Sequence, residues 1–136
     1  MKNEIILLNE TELKGKIYTI RGRKVMLDSD LARIYGYTTK DFNRQVKNNI
    51  GRFDEDYRFK LTDQEIEYLS RCKNFTSMQV KGVKGGRTYN PYVFTEEGIY
   101  MLISVLKGEK AVNQHKILLK DLHNLRANDI ITNKFM

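Results

Sequence analysis

The 136-residue sequence holds a single cysteine, Cys72, and a single proline, Pro91. One cysteine excludes an intrachain disulfide framework and fits a helix-end residue in a reducing cytoplasm. No apolar run reaches the roughly 20 residues that a membrane-spanning helix needs. The run Ile5–Leu8, with Glu4 before it, is too short for a secretory leader. Repeats and low-complexity tracts are absent. Acid is missing from one long window: Tyr68 to Thr95 contains no Asp or Glu, while Arg71, Lys73, Lys81, Lys84 and Arg87 are all present.

Catalytic constellations are missing too. His115 and His123 stand two turns apart on one predicted helix, with no cysteine or acidic cluster beside them, so neither a metal site nor a cofactor is expected. The glycines of KGVKGGR lack the spacing of a phosphate loop and open no helix. Gly98-Ile99-Tyr100 spells the first half of a GIY-YIG nuclease signature, but it lies in a predicted helix and no YIG follows. No nucleophile, base or carboxylate pair stands in a recognisable pattern. The chain is expected not to be an enzyme.

What is present is positive charge, a net +7 with pI ≈ 9.5. A basic surface raises the local concentration of phosphate and suggests an anionic partner, although it also serves plain solubility. The length suits one domain with appendages, long enough to bury a core.

The organising stretch is Asp28–Ile50, DSDLARIYGYTTKDFNRQVKNNI. It reads as two short helices joined at Gly36. An acidic cap at Asp28, with Asp30 in the first turn, suits the positive end of a helix dipole. Leu31, Ile34 and Tyr35 give the first helix an apolar side. Gly36 supplies the positive-φ stop, and Thr38 with Asp41 is a capping-box variant for the second helix. There Phe42, Val46 and Ile50 share one side, continued by Phe53. Lys40, Arg44, Lys47 and Asn48 share the other, with Asn43 and Gln45 on the flanks. These polar types match base edges and phosphates in a major groove. They are equally ordinary on a solvated helix face, so context decides.

Before this stretch, residues 1–15 read as an arm or docking strand, and Lys16–Leu27 as a hairpin turning at Arg21-Gly22-Arg23. After it come a charged turn over Gly51–Asp56 and a short strand over Tyr57–Leu61. A full capping box at Thr62–Glu65 starts a helix reaching about Arg71. The acid-free segment, with Gly82, Gly85 and Gly86 at its centre, has the composition of a DNA-binding wing or of a solvated loop. Thr88–Phe94 returns as a strand, in which Pro91 implies an edge or a bulge. Thr95 caps a helix with Met101, Leu102, Val105 and Leu106 along its apolar side, and Gly108 breaks it. A last helix covers about Glu109–Asn128, striped by Ala111, His115, Leu118, Leu119, Leu122 and Leu125. Ile130–Met136 should fray.

The block from Ile20 to Thr62, IRGRKVMLDSDLARIYGYTTKDFNRQVKNNIGRFDEDYRFKLT, and then GGRTYNPYVFTEEGIYMLISVL resemble the ORF-six-N domain of phages and prophages. That family is related to the KilA-N and Bro-N domains of large DNA viruses. The resemblance runs over about Ile17–Leu106. It implies a DNA-binding domain of phage antirepressors and regulators. The family's polar helix falls on Lys40, Asn43, Val46, Lys47 and Asn49, and its GGR-aromatic element on Gly85, Gly86, Arg87 and Tyr89. The chain departs at Asn48, where relatives usually carry a basic residue, and at Asp54, where proline is usual.

The resulting expectation is an α+β, winged-helix-like or KilA-N-like domain with a helix-turn-helix, a small antiparallel sheet and a C-terminal helical extension. Its divisions are an arm over 1–15, the DNA-binding domain over 16–107 and a C-terminal helix over 108–136. The partner is double-stranded DNA, met by Thr39, Lys40, Asn43, Arg44, Lys47 and Asn48 on the helix and by Lys81, Lys84 and Arg87 on the wing. The rival reading is a protein-interaction module that inactivates a repressor. A homodimer through the last helix is the other expected contact, and a membrane is not one. The expected location is the cytoplasm of a bacterial host, at the nucleoid.

Overall fold

Alternating apolar and polar residues between Ile17 and Leu27 give the hairpin two distinct faces. In the computed structural model, residues 13–72 and 90–134 are described, with side chains as far as residue 125. Strand β1 is Ile17–Ile20 and β2 is Arg23–Leu27. Arg21 and Gly22 join them, both at positive φ (57° and 73°). That is the type I′ geometry, whose twist matches the strands it connects.

The sheet is antiparallel in the order β1-β2-β4-β3, with β3 at Arg58–Lys60 and β4 at Tyr92–Thr95. Strand β4 is thus an inner strand, and the edge position inferred from proline does not hold. Pro91 lies just before the first ladder residue, where its missing N–H costs no ladder bond. Its carbonyl accepts from the Leu61 N–H at 3.0 Å.

Each face of the sheet carries its own core. Tyr18, Ile20, Val25, Leu27, Phe59, Leu61 and Val93 pack with Leu69 of helix α3, Asp63–Leu69. The expected capping box starts α3: Thr62 Oγ1 accepts from the Glu65 N–H at 3.1 Å, and Glu65 Oε1 accepts from the Thr62 N–H at 2.8 Å. Arg21 grips the same Glu65 carboxylate from the hairpin turn at 2.7 and 3.1 Å, and this hydrogen bonding holds the carboxyl below its usual range.

The opposite face, with Met26 and Phe94, is covered by four helices. They are α1 (Asp28–Tyr35), α2 (Thr39–Lys47), α4 (Glu96–Met101) and α5 (Glu109–Lys134). Thr95 caps α4, accepting from the Gly98 N–H at 3.2 Å. Gly98 has a packing reason: a Cβ there would run into the Tyr57 carbonyl oxygen, which also accepts from the Thr95 N–H at 3.0 Å. After a 3-10 turn at Leu102–Ser104, Gly108 at φ 103° sets the start of α5. Ala111, His115 and Leu118 of the expected stripe are buried, and Leu119, Leu122 and Leu125 pack partly buried on the same core. The stripe is therefore turned onto its own domain. Fraying from Ile130 is not what the backbone shows, since α5 continues to Lys134.

Candidate nucleic-acid interface

Helix α1 is an anchor. Six of its eight residues are buried, including Leu31, Ile34 and Tyr35. It stops at Gly36 in the left-handed region (φ 83°), where the Gly36 N–H donates to the Arg33 carbonyl at 3.1 Å and the Tyr37 N–H to that of Ala32 at 2.8 Å. This paired arrangement closes the last carbonyls of a helix. Two residues later Thr38 Oγ1 accepts from the Asp41 N–H at 3.0 Å and starts α2. The two helices are thus joined through the Gly36 stop and the Thr38 cap that the sequence supplied.

Helix α2 buries only Phe42 and Val46. The Phe42 ring meets Tyr35 at 6.5 Å between centroids and the edge of Phe94 at 5.5 Å. Lys40, Arg44 and Lys47 follow at offsets of four and seven residues. At about 100° and 1.5 Å per residue they fall within roughly 60° of one another over about 10 Å. All three are exposed, as are Thr39 and Asn48 beside them. Arg44 pairs with Asp41 at 3.0 Å, a solvent-facing pair with side chains 62% and 48% exposed. Such pairs contribute at most about 1 kcal/mol. Ile50 leaves the apolar side expected of it. The helix ends at Lys47, and Ile50 sits in a 3-10 turn, 50% exposed, while Phe53 does reach the core.

Asn43 is placed differently from the other predicted contacts. Its Nδ2 donates to Asp28 Oδ2 at 2.9 Å, half-buried between α1 and α2. Asp28 does not cap its helix; the N-cap position is Leu27, with no side-chain cap. The buried carboxylate instead gathers Asn43 and the Tyr92 N–H, the latter at 3.3 Å. Burial pushes its pKa up, while Asn43, the backbone N–H groups of Tyr92 and Ser29, and the Arg58 charge pull it back. Arg58 itself lies over the Tyr92 ring, 3.5 Å from the centroid. One acid therefore ties the display helix to the anchor helix and the inner strand. Sequence reasoning missed this role; the available signal was an Asp followed at fifteen residues by Asn43, a polar residue on the flank of α2 rather than on its outer face.

Lys81, Lys84 and Arg87 lie outside the described residues. Beyond them, the described chain resumes at a fixed point. Asn90 Nδ2 donates to the Leu61 carbonyl at 2.8 Å and to Asp63 Oδ1 at 2.9 Å. Among the described residues no group of three or more His, Cys, Asp or Glu could hold a metal ion, and no helix is long and apolar enough to cross a membrane. A groove of about 520 Å³ lies between the hairpin, the start of α4 and α5, and α2 contributes nothing to its lining.

Compared with known protein families, residues 15–105 match the ORF6N domain, well over half of the chain. The chain belongs to the ORF6N domain family. Searches of curated proteins and of solved structures found no match to it. The ORF6N match takes in the four strands and helices α1 to α4, and ends before Gly108. The resemblance drawn from the two sequence blocks is thereby borne out, and the α+β architecture with a small antiparallel sheet is compatible with a KilA-N-like ORF6N domain.

Proposed function

We propose that this ORF6N protein binds duplex DNA through the outer face of α2, as a non-catalytic regulator of phage or prophage gene expression of the antirepressor type. The observation that carries the reading is the division of α2: Phe42 and Val46 are sealed in the core, and Lys40, Arg44 and Lys47 form one exposed basic stripe on the second helix of a helix-turn-helix. In such motifs this helix enters the major groove. Lys40 and Lys47 serve as phosphate contacts, Arg44 as the base reader with Thr39 and Asn48 beside it, and Asn43 as the residue that seats the helix. Lys81, Lys84 and Arg87 are assigned to the backbone from a wing.

The test is a fluorescence-anisotropy titration of a random duplex with the full chain over a range of salt. Three cations on α2 give a log–log slope of about −3, and contacts from Lys84 and Arg87 steepen it to about −4 to −5. Absence of binding at low salt removes the DNA reading.

A second reading is favoured by a separate surface. Arg52 Nη1 donates to the Ser104 carbonyl at 3.3 Å, tying the turn of Ile50 to the turn of Ile103. Both isoleucines are exposed, 50% and 40%. Neighbouring exposed aliphatics suit a protein partner such as a repressor. Ile50→Glu with Ile103→Glu should abolish capture of that repressor and leave DNA binding intact.

A further inference from the structure

Lys110 stands in the first turn of α5, in the part of the chain that the ORF6N match does not reach. Its side chain nonetheless lies on the helix-turn-helix. A Cβ placed on Gly36 would sit 3.0 Å from Lys110 Nζ and 3.3 Å from its Cε. The positive φ of Gly36 is what calls for glycine, and the missing Cβ also lets the end of the lysine side chain lie close against the turn. The start of α5 is fixed by Gly108 at φ 103° and by the burial of Ala111 one residue beyond the lysine. Lys110 is therefore presented by a seated helix end rather than by a free tail.

We infer that Lys110 is a phosphate-contacting residue of the DNA interface, delivered by the C-terminal helix to the turn from which α2 springs. The inference rests on the DNA-binding reading above. When the second helix of such a motif lies in the major groove, the first crosses the sugar–phosphate backbone, and the turn between them is continuous with both. Lys40, the first member of the exposed stripe, follows Gly36 by four residues. Lys107 is exposed just before α5, and Glu109 and Asp41 are the acids nearest in sequence to these cations. The C-terminal helix is on this reading part of the binding surface and not an appendage to it.

The experiment compares Lys110→Met, which keeps the stem and loses the charge, with Lys110→Arg, both in the full chain. Affinity for a random duplex is measured across salt, with melting temperature alongside. Lys110→Met should reduce the steepness of the salt dependence by about one unit and weaken binding several-fold on every sequence, while Lys110→Arg retains both. An unchanged slope in a folded Lys110→Met, whatever its melting temperature, overturns the inference and leaves the lysine as a complement to the negative end of α1. Should that variant melt below the assay temperature, acylation footprinting of the unmodified protein decides. Duplex DNA should shield Lys110 together with Lys40, and a Lys110 that is acylated at the same rate with and without DNA overturns it. Failure of the wild-type chain to bind any duplex is a different result, which removes the DNA reading itself.

Discussion

Helices α1 and α2 are neighbours of similar length, joined by Gly36-Tyr37-Thr38, and they are used in opposite ways. DSDLARIY buries six of its eight residues, two of them aspartates; TKDFNRQVK buries two of its nine, both apolar. The first helix is held from all sides and has little surface to offer. The second is attached by one edge and displays the rest. The difference teaches that attachment and display are divided between elements: substitutions on α1 and on the inner edge of α2 should change stability, and those on the outer face of α2 should change binding.

The largest effect belongs to the attachment. Phe42 is fully buried between Tyr35 and Phe94. Phe42→Ala should cost about 3–5 kcal/mol in denaturant unfolding. A loss below about 1 kcal/mol would mean that α2 is not fastened by this ring. Next comes the polar fastening. Asn43→Leu deprives the buried Asp28 of a hydrogen bond and should cost about 1.5–3 kcal/mol. If Asn43 were a base reader, the same change would leave the melting point alone and lower only the preference for a cognate site.

A smaller effect concerns α1 from its other side. Tyr35 Oη and His115 Nδ1 share a hydrogen bond of 2.6 Å, and burial pushes the His115 pKa below its ordinary 6.5. A depressed histidine contributes stability fully present above pH 6.5 and lost as pH falls through the folded value. Asp28 and Asp30 are shifted up by burial, so their protonation favours the fold as pH falls. The histidine term is therefore read as a difference. Between about pH 7.5 and 5.5 the wild type should lose melting temperature relative to His115→Gln. Parallel curves would assign the titration elsewhere. Smallest of all, Lys40→Ala and Lys47→Ala should move stability by no more than about 0.5 kcal/mol. Their loss should be seen only on DNA, as a flatter salt dependence.

Local rules made much of this legible in advance. The caps at Thr38, Thr62 and Thr95, the stop at Gly36 and the hairpin turn at Gly22 are decided by residues within one turn of each other, and all appear where the sequence placed them. Phe53 and the stripe of α5 followed from apolar periodicity. What escaped depends on separations that no local rule sees. Asp28 looked like a cap because it begins a helix, yet its partners are Asn43 and Tyr92. Pro91 suggested an edge or a bulge because a strand proline lacks a donor, but the ladder begins one residue later. Ile50 fitted the wheel of a helix that ends before reaching it.

The strand order carries a consequence for how the chain is made. Among the described residues, β3 in the order β1-β2-β4-β3 has β4 as its one neighbour, and β4 also completes the ladder of β2. Synthesis delivers the hairpin, both helices of the turn and β3 well before Tyr92–Thr95 leaves the ribosome. Until then β3 has no ladder, and neither sheet face has its central residues, Val93 and Phe94. The pair α1 and α2 emerges early but gains part of its floor late, because Phe94 is one of the rings against which Phe42 packs. Pairings of this long reach fold slowly and leave intermediates with open strand edges. A nascent chain stalled before residue 95 would carry α2 on α1 alone, and the sheet is completed when a four-residue strand enters between its two partners.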